Sequence, residues 1–178
     1  MSKFKSVLAI ALLLVIHFMN FADFLKIKFI KVECEEFDKS FASFKKCYLK
    51  ALARDVIALH LHVQLHELPI NNITTNAQLF QKGNGYRPFL YNTTMNLCEF
   101  FKHPKRFMFW KIIYDNFKPY SNVNHTCPYD HDIIIDNITL NAEMMRLVPF
   151  PENDYMIQLQ FAAYNVYRAK VKVYARIF

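Results

Sequence analysis

Apolar and polar residues alternate with a period of two along most of this chain, the pattern of a strand with one buried face. In Asp55 to Leu68, Ile57, Leu59, Leu61, Val63 and Leu65 share one side, while Ala58, His60, His62, Gln64 and His66 share the other. The same alternation marks Lys26 to Cys34, Cys47 to Ala53, Tyr155 to Phe161 and Ala169 to Ile177. Half-buried antiparallel strands are expected over all of these.

The breaks between strands carry turn chemistry. Leu68-Pro69-Ile70-Asn71-Asn72 ends the histidine strand, Lys82-Gly83-Asn84-Gly85 joins two more, Pro149-Phe150-Pro151 interrupts pairing, and Glu152-Asn153-Asp154 opens the penultimate strand. Strands at this spacing predict an all-β, two-sheet antiparallel sandwich. One segment departs from the rule. From Pro104 to Phe117, Phe107, Trp110, Ile113, Tyr114 and Phe117 recur at helical spacing, and Met108, Phe109 and Ile112 widen the stripe. A single short helix is expected there.

Lys3 and Lys5, an apolar run from Val7 to Phe18 and the small residue Ala22 form the pattern of a secretory signal peptide over 1–22. The run falls short of the ~20 apolar residues a membrane span requires. A mature domain over 23–178 is therefore expected, extracellular and secreted, and of a size to bury its own core. Four cysteines, an even number, suit an oxidising compartment. Of three connectivities, Cys34–Cys47 with Cys98–Cys127 closes short to medium loops, the first worth about 3 kcal/mol on the loop-entropy scale. Asn-x-Thr occurs at Asn72, Asn92, Asn124 and Asn137, where chance predicts roughly one acceptor. All four are expected on the outside of the fold.

Several function classes are disfavoured. Gly83 and Gly85 are the only glycines, so the chain has no phosphate-cradling loop, dinucleotide fingerprint or Gly-x-Ser-x-Gly elbow. The serines beyond the signal, Ser40, Ser43 and Ser121, lack the context of a nucleophile. The formal charge of +7 falls to +5 once Lys3 and Lys5 are removed and is dispersed along the chain, which argues against nucleic acid. No Cys-x-x-Cys pair offers a zinc site. His60 and His62 could meet at one ion, but the solvated outer face of a sheet explains them more simply, and no metal or cofactor is expected. His125, His131 and His103, with Lys102 or Lys105, have the residue types of phosphodiester acid–base chemistry, yet nothing in their spacing sets a geometry. No enzymatic activity is expected.

Taken in order, Asn84-Gly85-Tyr86-Arg87-Pro88-Phe89-Leu90-Tyr91-Asn92, Cys98 with Phe100, Asn124-His125-Thr126-Cys127-Pro128-Tyr129-Asp130-His131-Asp132, and Leu147-Val148-Pro149-Phe150-Pro151 with Asp154-Tyr155 resemble a large insect group of secreted four-cysteine proteins of unassigned function. That group is placed with the ML lipid-recognition domains, relatives of the ganglioside activator. Glu152-Asn153 stands where members often carry glycine. The resemblance implies an immunoglobulin-like sandwich whose sheets splay around an apolar cavity. A hydrophobic small molecule or lipid is then the expected ligand, in chemosensation or lipid handling, with a membrane receptor as a further partner. Phe107, Phe109, Trp110, Ile113, Tyr114 and Phe117 are the candidate cavity or flap residues. The alternative is an extracellular adaptor with a filled core and exposed aromatics. Amino-terminal sequencing of secreted protein should begin within a few residues of Asp23; a start at Met1 or Ser2 would refute the signal reading.

Overall fold

The computed structural model describes residues 26–145 and 150–178. The expected signal segment lies outside them, as do Leu147, Val148 and Pro149. Two antiparallel sheets pack as an all-β sandwich with one short helical insert. The larger has five strands in the order β1 (Ile27–Glu36), β8 (Val166–Ile177), β7 (Asn153–Ala163), β4 (Ile73–Gly83) and β5 (Gly85–Asn96). The smaller has three: β2 (Ala42–Ala53), β3 (Val56–Leu65) and β6 (Ile133–Thr139).

Tight hairpins set the registers. Tyr164 and Asn165 join β7 to β8 with φ of 52° and 64°, the left-handed pair that matches strand twist in a two-residue turn. Gly83 pairs with Gly85 across Asn84, and the φ of 117° at Gly85 is open to glycine and strained for other residues. Between β5 and the smaller sheet the chain forms α1 (Leu97–Lys102) and α2 (Met108–Phe117), separated by a 3-10 turn over Pro104–Arg106. The expected helix over 104–117 is thus a turn followed by a helix, and the additional α1 starts where the Asn96 side chain accepts from Glu99 N–H at 3.1 Å. That cap has a short polar residue followed three positions on by Glu, a signal the strand pattern masks.

The main core lies between the sheets. Leu59 and Leu61 of β3 and Ile138 of β6 meet Phe29, Val171 and Val173, with Ile157 and Phe161 alongside. Alternation thus becomes burial directly, and each such side chain contributes roughly 1.5–3 kcal/mol. Both expected disulfides form, Cys34–Cys47 and Cys98–Cys127. The first joins β1 to β2, one strand from each sheet, and so clamps that side of the sandwich.

The outer face of the larger sheet has its own anchor. Asp154 is 7% exposed and accepts from Arg176 Nε at 2.6 Å and Lys82 Nζ at 2.9 Å. The Arg176 hydrogen bond, with help from Lys82, holds its carboxyl at about 2, below the ordinary 3.8. Because this group titrates lower in the folded chain than in the unfolded one, it stabilises fully above about pH 4 and its contribution disappears as pH falls toward 2. Asp154→Asn should cost about 2 kcal/mol in urea unfolding at neutral pH, and the gap from the parent should shrink between about pH 5 and pH 2.5. A pH-independent gap would show that the ion network is not responsible.

Candidate functional site

The three-stranded sheet covers only part of the inner face of its five-stranded partner. Under β4, β5 and β7, Ala77, Met95 and Leu159 are covered instead by the helical segment, through Phe100 of α1 and Trp110 of α2. Phe101, Phe107, Phe109 and Tyr114 pack around this cluster, and Phe117 and Tyr120 reach back to the main core. The helix therefore spans both cores, and this explains why its apolar stripe is wider than one packing face requires.

The rings form a continuous layer. Phe100 meets Tyr114 edge to face at 5.4 Å, Tyr114 meets Phe101 and Phe117 at 5.2 Å each, and Phe109 meets Tyr91 at 4.8 Å. Tyr91 gets there through a bulge in β5. Gln78 pairs with Asn92 and Phe80 with Pro88, so Leu79 alone opposes Phe89, Leu90 and Tyr91. Leu90 takes φ 54° and is pushed out to 67% exposure, while Phe89 lies 6.0 Å from Tyr155. A leucine in the left-handed region costs about 1 kcal/mol, a local strain offset by seating two aromatic rings inward.

Of the six candidate residues, Trp110 is buried at 6% exposure, and Phe107, Phe109, Ile113, Tyr114 and Phe117 are half-buried. Trp110 Nε1 is a buried donor with no acceptor among the described residues. Such a group costs roughly 1–3 kcal/mol unless something accepts from it. Tyr91, Phe100 and Phe101 belong to the same layer and were not among the six candidate residues; Phe89 lies apart from it, against Tyr155 and Phe150. Tyr91 and Phe100 stand in stretches that carry the family resemblance, but a linear motif does not say which rings meet.

The segment returns to the sandwich through residues 121–132. Cys127 is bonded to Cys98, Thr126 Oγ1 donates to Cys98 O at 3.0 Å, and Tyr129 is fully buried, pairing its backbone with Ile70. Burial pushes the Tyr129 hydroxyl's pKa well above its usual value. Asp132 accepts from Leu65 N–H at 3.1 Å and meets His62 Nε2 at 2.7 Å, contacts that pin the loop to β3. The His62 hydrogen bond also lowers the Asp132 carboxyl's pKa.

The histidines correct one expectation. His60 does not face open solvent: it is buried under Tyr48, whose ring stacks 4.9 Å away, and its Nδ1 contacts Asp136 at 2.6 Å. A cross-strand aromatic neighbour covers a ring that alternation alone assigns to water. His66, just past the end of β3, is exposed and contacts Ser43 Oγ at 2.9 Å, so the three histidines take separate partners. No group of metal-holding side chains occurs among the described residues.

His125 and His131 do come together, Nε2 to Nε2 at 2.9 Å, with the Nδ1 atoms against the carbonyl oxygens of Thr126 and Asp132 at 2.6 and 2.8 Å. All four ring nitrogens face each other, the backbone or the Asn122 side chain rather than a cleft, which is the wrong arrangement for acid–base work on a phosphodiester. His103, at the exposed end of α1, has no hydrogen bond to them.

Among the acceptor asparagines, Asn92, Asn124 and Asn137 are exposed, and Asn72 is half-buried. No helix among the described residues is long and apolar enough to cross a membrane.

Residues 75–157 match a family model described as a protein of unknown function, DUF1091. The match begins in β4, takes in the helical segment and the Cys98–Cys127 bridge, and ends in β7. Together with the two disulfides it fits a small secreted cysteine-rich family. No curated protein matches the chain.

The layer makes one energetic prediction. Phe100 is 1% exposed at its centre, so Phe100→Ala should cost about 3–5 kcal/mol, whereas Met108→Ala, on the exposed side of α2, should stay within about 0.5 kcal/mol. Equal costs in chemical denaturation would show that the helical segment is not packed on the sheet as described.

Proposed function

We propose that this chain is a secreted carrier or co-factor protein that takes a hydrophobic small molecule, a lipid, hydrocarbon or pheromone-like compound, between the helical segment and the inner face of β4, β5 and β7. The observation that carries the reading is Trp110: an indole N–H with no acceptor among the described residues, enclosed by phenylalanine, tyrosine and methionine side chains. A long-chain molecule with a carboxyl, carbonyl or hydroxyl oxygen at one end would supply that acceptor and bury its chain among the rings. About ten methylenes at about 0.8 kcal/mol each leave useful affinity after association costs are subtracted. Ligand identity and a membrane receptor belong to the same proposal, as does the grouping with the ML lipid-recognition domains, which unequal sheets bridged by an aromatic insert would suit.

The layer is closed in the free chain, so entry requires the helical segment to lift. The clamp at Cys34–Cys47 lies on the far side of the sandwich, and the segment's own tether is the Cys98–Cys127 bridge. The adaptor reading draws on a different observation, the exposure of Leu90 and Met108, which flank the Tyr91–Phe109 contact in sequence and are available to a protein partner.

Trp110 is the only tryptophan, so its fluorescence reports this one site. A sixteen-carbon fatty acid should shift the emission of secreted protein, and organic extracts of that protein should contain an apolar compound. Trp110→Phe keeps an aromatic ring and removes the donor. By calorimetry it should weaken fatty-acid binding about tenfold, the worth of one hydrogen bond, and leave binding of the corresponding alkane nearly unchanged. Empty extracts together with no binding of either probe at micromolar concentration would overturn the carrier reading and favour the adaptor.

A further inference from the structure

The outer face of the five-stranded sheet holds a groove of about 160 Å³ lined by Thr74, Asn76, Thr94, Gln160, Ala162, Asn165 and Tyr167. It runs across four strands, with Thr94, Asn76 and Gln160 in one cross-strand row and Thr74, Ala162 and Tyr167 in the next. None of these residues is charged. Hydroxyls and amides form the floor and walls, and Tyr167, 56% exposed, offers a ring at one end. Such a surface suits a neutral ligand with many hydroxyl and amide groups and one weakly apolar ring face, and it suits neither an ion nor a lipid chain.

Two acceptor motifs converge on the same place. Thr74 completes Asn72-Ile73-Thr74 and Thr94 completes Asn92-Thr93-Thr94, so both acceptor threonines line the groove and the two asparagines flank it. Each asparagine has its Oδ1 tied by a neighbouring amide. Asn76 Nδ2 donates to Asn92 Oδ1 at 2.9 Å and to Thr94 Oγ1 at 2.9 Å, and Asn96 Nδ2 donates to Asn72 Oδ1 at 3.1 Å. With the carbonyl oxygen anchored, Nδ2 is the atom left to carry a substituent. Asn92 is the exposed one of the two, and its anchor, Asn76, belongs to the groove itself.

We infer that the groove is the seat of the chain's own N-linked glycan at Asn92, with the inner N-acetylglucosamine residues lying across β4 and β7 toward Tyr167. Three inter-strand spacings separate β5 from β8, about 14 Å, the reach of a short oligosaccharide core rather than of a single ring. Gln160 and the Tyr167 hydroxyl, which have no side-chain partner among the described residues, face the sugar hydroxyl and acetamide groups. The seated glycan covers the polar outer face of β4 and β7 and leaves the aromatic layer on the opposite face untouched. This proposal does not depend on the carrier reading.

The test uses full-length protein secreted from a glycosylating eukaryotic host and treated, without denaturation, with an amidase that releases N-glycans at the asparagine. Site-resolved glycopeptide mass spectrometry then gives a release rate for each acceptor. Asn124 and Asn137, exposed and outside the groove, are internal references. The Asn92 glycan should be released about tenfold more slowly than theirs, equivalent to about 1.4 kcal/mol of protection. The double variant Gln160→Ala, Tyr167→Ala alters only surface side chains and should bring Asn92 to the reference rate without changing release at Asn124 or Asn137. An unoccupied Asn92, a release rate equal to the references in the parent protein, or protection that survives the double variant would each overturn the inference.

Discussion

Five strands face three, and most of the architecture follows from that mismatch. Leu59, Leu61 and Ile138 can bury Phe29, Val171 and Val173, but they cannot reach across to Ala77 and Met95. Apolar surface left open there would favour association with other chains. The chain resolves this locally, by placing a helical segment directly after β5 and packing its rings under the uncovered strands.

The two sides of the sandwich are consequently held by different means. On the β1 and β2 side a disulfide and strand-to-strand packing close the core. On the other side closure depends on aromatic contacts of the helical segment and on its return through residues 121–132. That return is tied down by Cys127, by the backbone pairing of Tyr129 with Ile70, and by the hydrogen bonds of Asp132 to β3. The Cys-Pro-Tyr-x-His-Asp run, the most distinctive stretch of the sequence, works here as an anchor. Its side chains bind one another, the backbone, Cys98 and His62, so the run holds the loop in place.

The outer faces are not passive coatings. On the smaller sheet His60 lies beneath Tyr48 and pairs with Asp136; on the larger, Asp154 gathers Arg176 and Lys82. Each is a polar group that strand alternation assigns to water and that its cross-strand neighbours cover. They stabilise particular registers, because a shift of one residue would turn these side chains into the core.

The sequence by itself determined most of the strands, though not β6, together with the hairpins, the even cysteine pairing and the aromatic content of the helical insert. All of these rest on local physics: period-two alternation, the φ a turn requires, and loop lengths between cysteines. It did not reveal α1, whose cap at Asn96 is hidden by an apparent strand end, nor the bulge that extrudes Leu90, nor which rings would meet. The tertiary structure decided those, because they depend on how many strands each sheet acquires and therefore on which stretch of inner face remains to be covered. The burial of His60, the orphaned Trp110 donor and the meeting of two acceptor threonines in one groove arise in the same way. Each depends on residues distant in the chain becoming neighbours through strand order, a property of the assembled sheets that no local pattern encodes.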